Sequence, residues 1–321
     1  MDDVTIHSLV RRSSDRTIFG RPAKAAPGYV TASLRPEEAF RAILSDCLAQ
    51  VSANAAPLRP QKSEEGRSVE GLHQLRVAFR RLDVALAAFG REFRQDWLEE
   101  LRGRGRILSA RLAPARDLDV FVDTLLESTP HADGEGFVQL RARAEEARAT
   151  AWAAVTASVA GADFELFVDD VAALAASQLP LTRIRRLPKT ASRILDRQAR
   201  RVRKRGTAAR SKDEGDLHRL RIALKKLRYT AEFFAPLYPK RDVKRYLKKL
   251  RALQNQLGAL NDAANVRGTV SALLQGDGKK DAAMGFAAGS MVGWHGAMAP
   301  RVARQVLKRY RSFRKLSPFW S

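Results

Sequence analysis

The chain has 321 residues, of which 45% are hydrophobic and 29% are charged, a composition typical of a folded globular protein rather than a disordered one. Its 58 Lys and Arg against 35 Asp and Glu give a net charge of +23, which indicates a polyanionic partner such as nucleic acid, an anionic membrane or another phosphate polymer. The single cysteine, Cys47, excludes an intrachain disulfide and a multi-cysteine zinc site. Neither a secretory signal nor an apolar stretch of about 18 residues is evident, so we expect a cytoplasmic protein that does not span a membrane.

Helical patterns dominate the chain. Residues 1–34 are polar, basic and interrupted by Gly and Pro, which predicts a disordered basic tail. Pro36 is predicted to be a first-turn proline, and the acidic Glu37 and Glu38 suit a helix N-terminus. Strand signals are almost absent, so the predicted fold class is all-α with bundle packing. The periodic segments predict helices at about 36–54, 69–89, 94–112, 116–128, 135–160, 164–178, 189–205, 213–236, 240–257, 261–274 and 279–313.

A helix-like segment occurs twice, 145 residues apart, with one histidine and the same basic pattern each time. Histidine, arginine and a basic pair recur at i, i+3 and i+7/i+8, which places them along one side of a helix. Leucines and a phenylalanine occupy the opposite side of the first copy, which is therefore expected to be buried. We call these basic faces the first strip, formed by His73, Arg76, Arg80 and Arg81, and the second strip, formed by His218, Arg221, Lys225 and Lys226.

The repeat extends beyond the strips, because His73 precedes Asp117 by 44 residues and His218 precedes Asp262 by the same number. A period this long indicates an internal duplication rather than a solenoid. The predicted domains after the tail are therefore a first helical bundle over 35–180 and a second over 181–321. We expect two pseudo-symmetric four-helix bundles that bring the two strips to opposite sides of a basic central cleft.

The residue types in the strips favour phosphate binding. Arginine can grip two phosphate oxygens at once, lysine supplies a mobile point charge, and histidine adds a donor with little reach. The alternatives are solvated helix faces and structural histidines that hydrogen-bond a neighbouring helix, and the repetition at one offset argues against the first of these. Tyr229 is the one aromatic residue close to a strip, which favours contacts to a polyanion backbone over the stacking of bases.

Two aspartates and a glycine-rich segment lead to further predictions. Asp117 and Asp262 are expected at the starts of short helices, where each would cap the helix or orient an arginine. A metal role would need two or three converging carboxylates, but Asp119 has Ala264 as its counterpart in the repeat, so no metal site is predicted. Segment 282–299 is predicted to be a buried helix whose glycines permit close helix approach, at Gly285, Gly289, Gly293 and Gly296.

Taken in order, these motifs resemble the CHAD family, helical domains named for their histidine and associated with inorganic polyphosphate. The resemblance covers roughly 36–320 and rests on Leu72–Arg81, Ala115–Val120, Leu217–Tyr229, Leu257–Asp262 and the closing Ser317–Trp320. It implies two four-helix bundles around a basic cleft or pore that holds polyphosphate, and some members are targeted to polyphosphate granules. The ligand contacts that it implies are His73, Arg76, Arg80, Arg81, His218, Arg221, Lys225, Lys226 and Arg228, to which the repeat offset adds Arg106 and Arg251.

This chain departs from the family pattern at two places. Asp83 stands where the second copy has Arg228, and Pro114 precedes the pair Arg116 and Asp117. The first strip is therefore expected to bind less strongly than the second.

Three functions remain open from the sequence. The favoured one is non-enzymatic binding of inorganic polyphosphate, without a cofactor, by two strips that clamp one chain. The alternative is a nucleic-acid-binding protein that uses the basic stretch 183–228, which contains 18 Lys or Arg residues and only four acidic residues. The third is a phosphohydrolase with His73 or His218 as acid–base catalyst, although no nucleophile elbow, P-loop or HExxH motif is present. The oligomeric state does not follow from the sequence.

Overall fold

The computed structural model describes residues 22–25, 30–60, 68–93, 96–177, 186–275 and 281–321. Within these ranges the chain forms ten α-helices and no strand, which confirms the predicted all-α class. The helices are α1 (Pro36–Ala55), α2 (Val69–Phe93), α3 (Trp97–Arg111), α4 (Ala113–Val120), α5 (Glu135–Ala160), α6 (Ala162–Ala176), α7 (Leu187–Ala208), α8 (Glu214–Phe234), α9 (Lys240–Leu273) and α10 (Ala282–Arg314).

Helix α1 begins as its sequence predicts. Pro36 is its first residue, where a missing N–H leaves no hydrogen bond unmade. The backbone N–H of Arg35 donates to Glu38 Oε2 at 2.7 Å, so an acidic residue of the first turn holds the entry of the chain into the helix. Helix α4 agrees less well with the sequence pattern, because it begins at Ala113 and passes directly into a π-helical turn, Phe121–Leu126.

The prediction of two separate helices at 240–257 and 261–274, with a break near Gly258, is wrong. Helix α9 is continuous from Lys240 to Leu273. Buried apolar residues continue on both sides of the glycine, with Leu253 and Leu257 before it and Val266 after it. The cost of glycine in a helix interior is about 1 kcal/mol, which is smaller than the gain from burying even one such side chain.

The described residues fall into two compact units. Unit 1 is formed from the described parts of the segments Met1–Ala113, Trp152–Ile194 and Tyr229–Lys240, and unit 2 from those of Pro114–Ala151, Leu195–Arg228 and Arg241–Ser321. Each unit thus draws residues from both predicted repeats. The division at residue 180, the pseudo-symmetry and the basic cleft stay predictions from the sequence.

Unit 1 contains a four-helix bundle made of α1, α2, α3 and α6. Each of these helices packs against two of the others, in the cyclic order just given. Aromatic rings fill the interior: the centroids of Phe40 and Phe89 are 4.8 Å apart, and those of Phe79 and Phe167 are 5.7 Å apart. This core supports α2, which carries the first strip.

Unit 2 has a core of its own, in which the π-helical turn and α5 pack against α9 and α10. Glycine permits the closest helix contacts. A Cβ on Gly136 would lie 2.0 Å from the carbonyl oxygen of Ala283, and one on Gly206 would lie 1.9 Å from the Tyr310 ring. The Tyr310 hydroxyl donates to the carbonyl of Val202 at 3.3 Å, which holds the ring over α7.

The predicted glycine contacts of α10 are wrong. The helix forms as predicted, and it buries a side that includes Met284 and Met291. However, a Cβ on any of its repeated glycines would meet nothing within 4 Å, since these glycines lie on the exposed side. The glycines concerned are Gly285, Gly289, Gly293 and Gly296.

Part of the predicted N-terminal tail contacts α1. The backbone N–H of Ala23 donates to Asn54 Oδ1 at 3.0 Å, and Asn54 Nδ2 donates back to the Ala23 carbonyl at 2.9 Å. Val30 is buried. The prediction of a disordered tail otherwise concerns residues 1–21 and 26–29, which lie outside the described residues.

Among the described helices, none alone is long and apolar enough to cross a membrane, although α5 and α6 together, as a bent pair, satisfy the requirements of length and composition.

Candidate functional site

The first strip lies on α2, and all of it except Arg81 lies on the side opposite the core of unit 1. Leu75 and Phe79 are buried, as the helical pattern predicts. His73, Arg76 and Arg80 are half-buried, so part of each side chain reaches the surface. Three of the four residues in the first strip are therefore accessible along one helix face.

Arg81 differs from the rest of the first strip because it is enclosed in unit 1. Its side chain is only 4% exposed, and its Nη2 donates to Asp46 Oδ2 of α1 at 3.0 Å. Its Cζ lies 5.4 Å from the centroid of the Phe233 ring, a cation–π contact. We therefore omit Arg81 from the ligand contacts proposed below and infer that it stabilises unit 1.

Asp83, the acidic departure from the family pattern, binds two arginines of α3. Arg102 Nε and Arg106 Nε each donate to Asp83 Oδ1 at 2.8 Å. Arg106 also lies 3.4 Å from Glu99 and remains exposed. Arg106 can reach a ligand only in competition with these carboxylates, so we omit it from the proposed contacts as well.

The second strip lies on α8 and is more accessible than the first. Leu220 and Leu224 are buried on the other side of the helix. The accessible residues are the exposed His218, the half-buried Arg221, Lys225, Lys226 and Arg228, and the exposed Arg251 on α9.

Helix α9 contributes two neighbours of the second strip that the resemblance did not imply. His218 Nδ1 and Asn261 Oδ1 are 2.8 Å apart, and the Asn261 side chain hydrogen-bonds the carboxylate of Asp262. Burial raises the pKa of Asp262 above its usual range, and the nearby Asp117 adds to this. The positive charges of Arg221 and Lys225 act in the opposite direction, as does the hydrogen bond from Asn261. A carboxylate of α9 thus lies beside the cations of the second strip.

The prediction that Asp117 and Asp262 lie at helix starts is wrong. Because α9 is continuous, Asp262 lies well inside it, and because α4 begins at Ala113, Asp117 lies beyond its first turn. The alternative role, the orientation of an arginine, is consistent with the electrostatic interaction between Asp262 and Arg221.

Asp119 is part of an ion pair inside unit 2. It is fully buried and accepts a hydrogen bond of 2.8 Å from Arg148 Nε of α5. Nη1 of the same arginine donates to Asp123 Oδ1 at 3.1 Å. The pair joins α4 and its π-helical turn to α5. Over the described part of the chain, no group of three or more His, Cys, Asp or Glu side chains converges in a way that could hold a metal ion.

Tyr229 and His295 are both buried. Tyr229 is only 2% exposed, so its ring is not available to stack on a base. His295 lies inside unit 2, where its Nε2 is 3.1 Å from the carbonyl oxygen of Leu125 and 3.2 Å from Thr129 Oγ1. His295 is therefore a structural histidine.

Sequence reasoning missed Asn261 as a partner of His218. The 44-residue spacing between His218 and Asp262 was a signal that α8 and this part of α9 belong to one site. The predicted helix break near Gly258 concealed the contact between Asn261 and His218. A residue at a helix start is expected to interact with the helix terminus rather than with a side chain of a neighbouring helix.

Comparisons with known proteins concern the family and the fold. The family model of the CHAD domain matches residues 42–271. The fold is similar to the crystal structure of the CHAD domain from the plant Ricinus communis, with a TM-score of 0.80 and 28% identity over 92% of this chain and 98% of that chain. It is also similar to PptA from Streptomyces chartreusis, with a TM-score of 0.68 and 17% identity over 87% of this chain and 100% of that chain, which shows the fold alone. No curated protein matches the sequence.

The matched range includes both strips, as well as Asn261 and Asp262. Since the family model spans most of the chain and the helical fold agrees with it, this protein belongs to the CHAD family.

Proposed function

We propose that this protein binds inorganic polyphosphate, without transforming it, through the first and second strips. One observation carries the proposal: α2 and α8 each bury an apolar side and leave a histidine and a row of basic residues accessible on the other. The CHAD family is linked to polyphosphate. Polyphosphate is a chain of closely spaced anionic phosphate groups and has no nucleobases that a protein could recognise. A row of guanidinium and ammonium groups matches a ligand of this kind.

Arg80, a half-buried residue of the first strip, supplies an appropriate donor. Arg80 Nε is buried and has no hydrogen-bond acceptor within the described residues. A buried donor without an acceptor is destabilising by about 1–3 kcal/mol, and more if it is charged. A phosphate oxygen beside the first strip would remove this cost, which supports an anionic ligand there.

Nucleic-acid binding is the alternative, and the aromatic residues argue against recognition of bases. Proteins that hold single strands usually stack bases on exposed aromatic rings. Tyr229, the aromatic residue nearest the second strip in the sequence, is buried. Nucleic acid would therefore bind through its phosphates alone and would compete with polyphosphate as a weaker polyanion.

Charge reversal in both strips tests the proposal. Arg76→Glu combined with Arg221→Glu should weaken binding of a fluorescent long-chain polyphosphate by about 100-fold or more, because it removes two charge-assisted contacts and adds two repulsive charges. Each single variant should retain part of the affinity if both strips contribute. Equilibrium fluorescence anisotropy at fixed ionic strength measures the effect.

The matched control is Arg91→Glu combined with Arg301→Glu, which makes the same change in net charge at two exposed positions outside the strips. We expect this control to change affinity by less than about tenfold, as a general electrostatic effect. If the two double variants weaken binding equally, the strips are not the site.

The proposal includes the absence of catalysis and a location in the cytoplasm, with association with polyphosphate granules. Incubation with polyphosphate should release no orthophosphate above the level of a heat-inactivated sample. Release that is lost on His218→Gln would instead support the phosphohydrolase. A fluorescent fusion should coincide with granules in polyphosphate-producing cells and become diffuse in cells that lack polyphosphate.

A further inference from the structure

A hydrogen-bonded chain of three side chains lies at the N-terminal end of the second strip. His218 of α8 contacts Asn261 of α9 through Nδ1 and Oδ1, which are 2.8 Å apart. Asn261 in turn hydrogen-bonds the carboxylate of Asp262. His218 itself is exposed, so the other side of its ring can meet a ligand.

The chemistry of these groups fixes which nitrogen of His218 carries a proton. A carboxylate can only accept hydrogen bonds, so the NH₂ group of Asn261 must face Asp262. The amide oxygen then faces His218 and can only accept, so Nδ1 must be the protonated nitrogen. In the neutral imidazole, Nε2 therefore carries a lone pair and not a proton.

A lone pair at Nε2 is unsuited to an anion. A phosphate oxygen close to neutral Nε2 would place two hydrogen-bond acceptors against each other, which is repulsive. The imidazolium form instead presents an N–H donor at Nε2 together with a positive charge. We propose that binding of a phosphate chain at the second strip takes up one proton, which is added to Nε2 of His218, and that Asn261 is the positioning residue that makes this uptake necessary. The inference rests on the proposed function and specifies how the second strip responds to pH.

Other charged groups lie near Asp262, next to the Asn261 that contacts His218, and they affect the test. Arg221 and Lys225 lie on the same helix, Asp262 on α9, and Asp117 on α4. The cations remain charged near neutral pH and cannot account for proton uptake. Asp262 can, because burial raises its pKa, and a bound phosphate would favour its neutral form further. The experiment must therefore distinguish His218 from Asp262.

The repeat supplies an internal comparison. Arg116 occupies the position, 145 residues earlier, that corresponds to Asn261. Arginine has only donors, so the sequence of the first copy does not repeat the amide acceptor that Asn261 provides in the second. We therefore propose the proton uptake for His218 and not for His73.

Calorimetric titration of the whole protein with long-chain polyphosphate tests the inference. Titrations near pH 7 in buffers of different ionisation enthalpy count the protons that are taken up on binding. Fluorescence anisotropy at about pH 6 and at about pH 8 gives the affinities below and above the usual pKa of histidine side chains. The wild-type protein should take up close to one proton per second strip occupied and bind about tenfold more tightly at the lower pH. His218→Gln should remove most of this uptake and flatten the pH dependence.

Asn261→Ala tests the positioning role separately. Without the amide oxygen, the neutral imidazole can place its proton on Nε2 and donate to phosphate, so uptake should fall while affinity at about pH 8 equals or exceeds that of the wild type. His73→Gln is the matched variant in the first strip. It should weaken binding overall but retain the wild-type pH dependence.

Four results would overturn the inference. Uptake that persists in His218→Gln would assign the proton to Asp262 or another group. Unchanged uptake in Asn261→Ala would show that the amide does not determine the protonated nitrogen. Binding by the wild type without proton uptake would refute the coupling but leave polyphosphate binding intact, whereas no binding at either pH would refute the proposed function and this inference together.

Discussion

Arg81 and Lys226 occupy equivalent positions in the two strips, yet their surroundings differ. Arg81 is enclosed by Asp46 and the Phe233 ring, whereas Lys226 is half-buried on α8. Removing one partner of a buried ion pair is destabilising, because the remaining charge keeps its desolvation cost and loses its compensation. The same basic pattern in a sequence can thus serve stability at one position and remain accessible for the proposed ligand contact at the other.

Arg81→Ala should lower the free energy of unfolding by about 2–4 kcal/mol, because it removes the cation that compensates the partly buried Asp46. Urea denaturation followed by far-UV circular dichroism measures this change. Arg80→Ala, on the same helix but in the accessible part of the first strip, should cost less than about 1 kcal/mol. A variant at Arg81 as stable as the wild type, but weaker in polyphosphate binding, would restore this residue to the ligand contacts.

Cys47 should be inert in the folded protein. Its side chain is fully buried in unit 1, and burial raises the pKa of the thiol to about 11, so the reactive thiolate is scarce at pH 8. We expect an aromatic disulfide reagent to titrate one thiol per chain in guanidinium chloride and almost none under native conditions. Rapid labelling of the native protein would show that α1 does not pack as described.

Among the helices, the sequence pattern predicts secondary structure best where one side of the helix is buried and the other is not. The period of Leu and Phe in α2 predicted both the helix and the side on which the first strip lies. The prediction was wrong for α9, where Gly258 suggested a break although apolar residues continue beyond it. A local propensity of about 1 kcal/mol cannot reveal the tertiary contacts that outweigh it.

Two glycines allow this argument to be tested in opposite directions. Gly258→Ala should raise the free energy of unfolding by about 0.5–1 kcal/mol, because the helix is continuous and an added Cβ meets nothing within 4 Å. Gly206→Ala should instead be destabilising by more than about 1 kcal/mol, since its Cβ would overlap the Tyr310 ring. Thermal unfolding of both variants measures the difference. Destabilisation by Gly258→Ala would indicate that α9 does break at this residue.

The site shows the same limit on prediction as the helices. The resemblance and the repeat led to His218 and Arg221 as candidate site residues, because these residues have a recognisable spacing along one helix. They could not identify the contact of Asn261 with His218 or that of Asp46 with Arg81, since each joins residues on different helices, 43 and 35 positions apart. Contacts of this kind depend on packing and leave no periodic trace in the sequence.

For the whole molecule, the net charge of +23 is the dominant property. Repulsion among so many cations opposes compactness, and a bound polyanion relieves it. Long-chain polyphosphate at 100 times its dissociation constant should stabilise the folded state by about 2.7 kcal/mol, and the melting temperature should rise accordingly. Differential scanning fluorimetry should show the largest shift with the longest chains and a smaller one at high salt. Equal shifts from orthophosphate at the same phosphate concentration would contradict multivalent binding by the strips.

The most direct test of the central claim is an equilibrium competition. Labelled long-chain polyphosphate, bound to the full chain at physiological ionic strength, is displaced by unlabelled polyphosphate, duplex DNA or single-stranded RNA at equal phosphate concentrations. We predict that polyphosphate competes far better than either nucleic acid, because the strips carry groups suited to phosphate. Phe79 and Tyr229, the aromatic residues nearest to the strips in the sequence, are buried and cannot stack on bases. Displacement by all three in proportion to their charge would contradict a polyphosphate site and leave a general polyanion-binding surface.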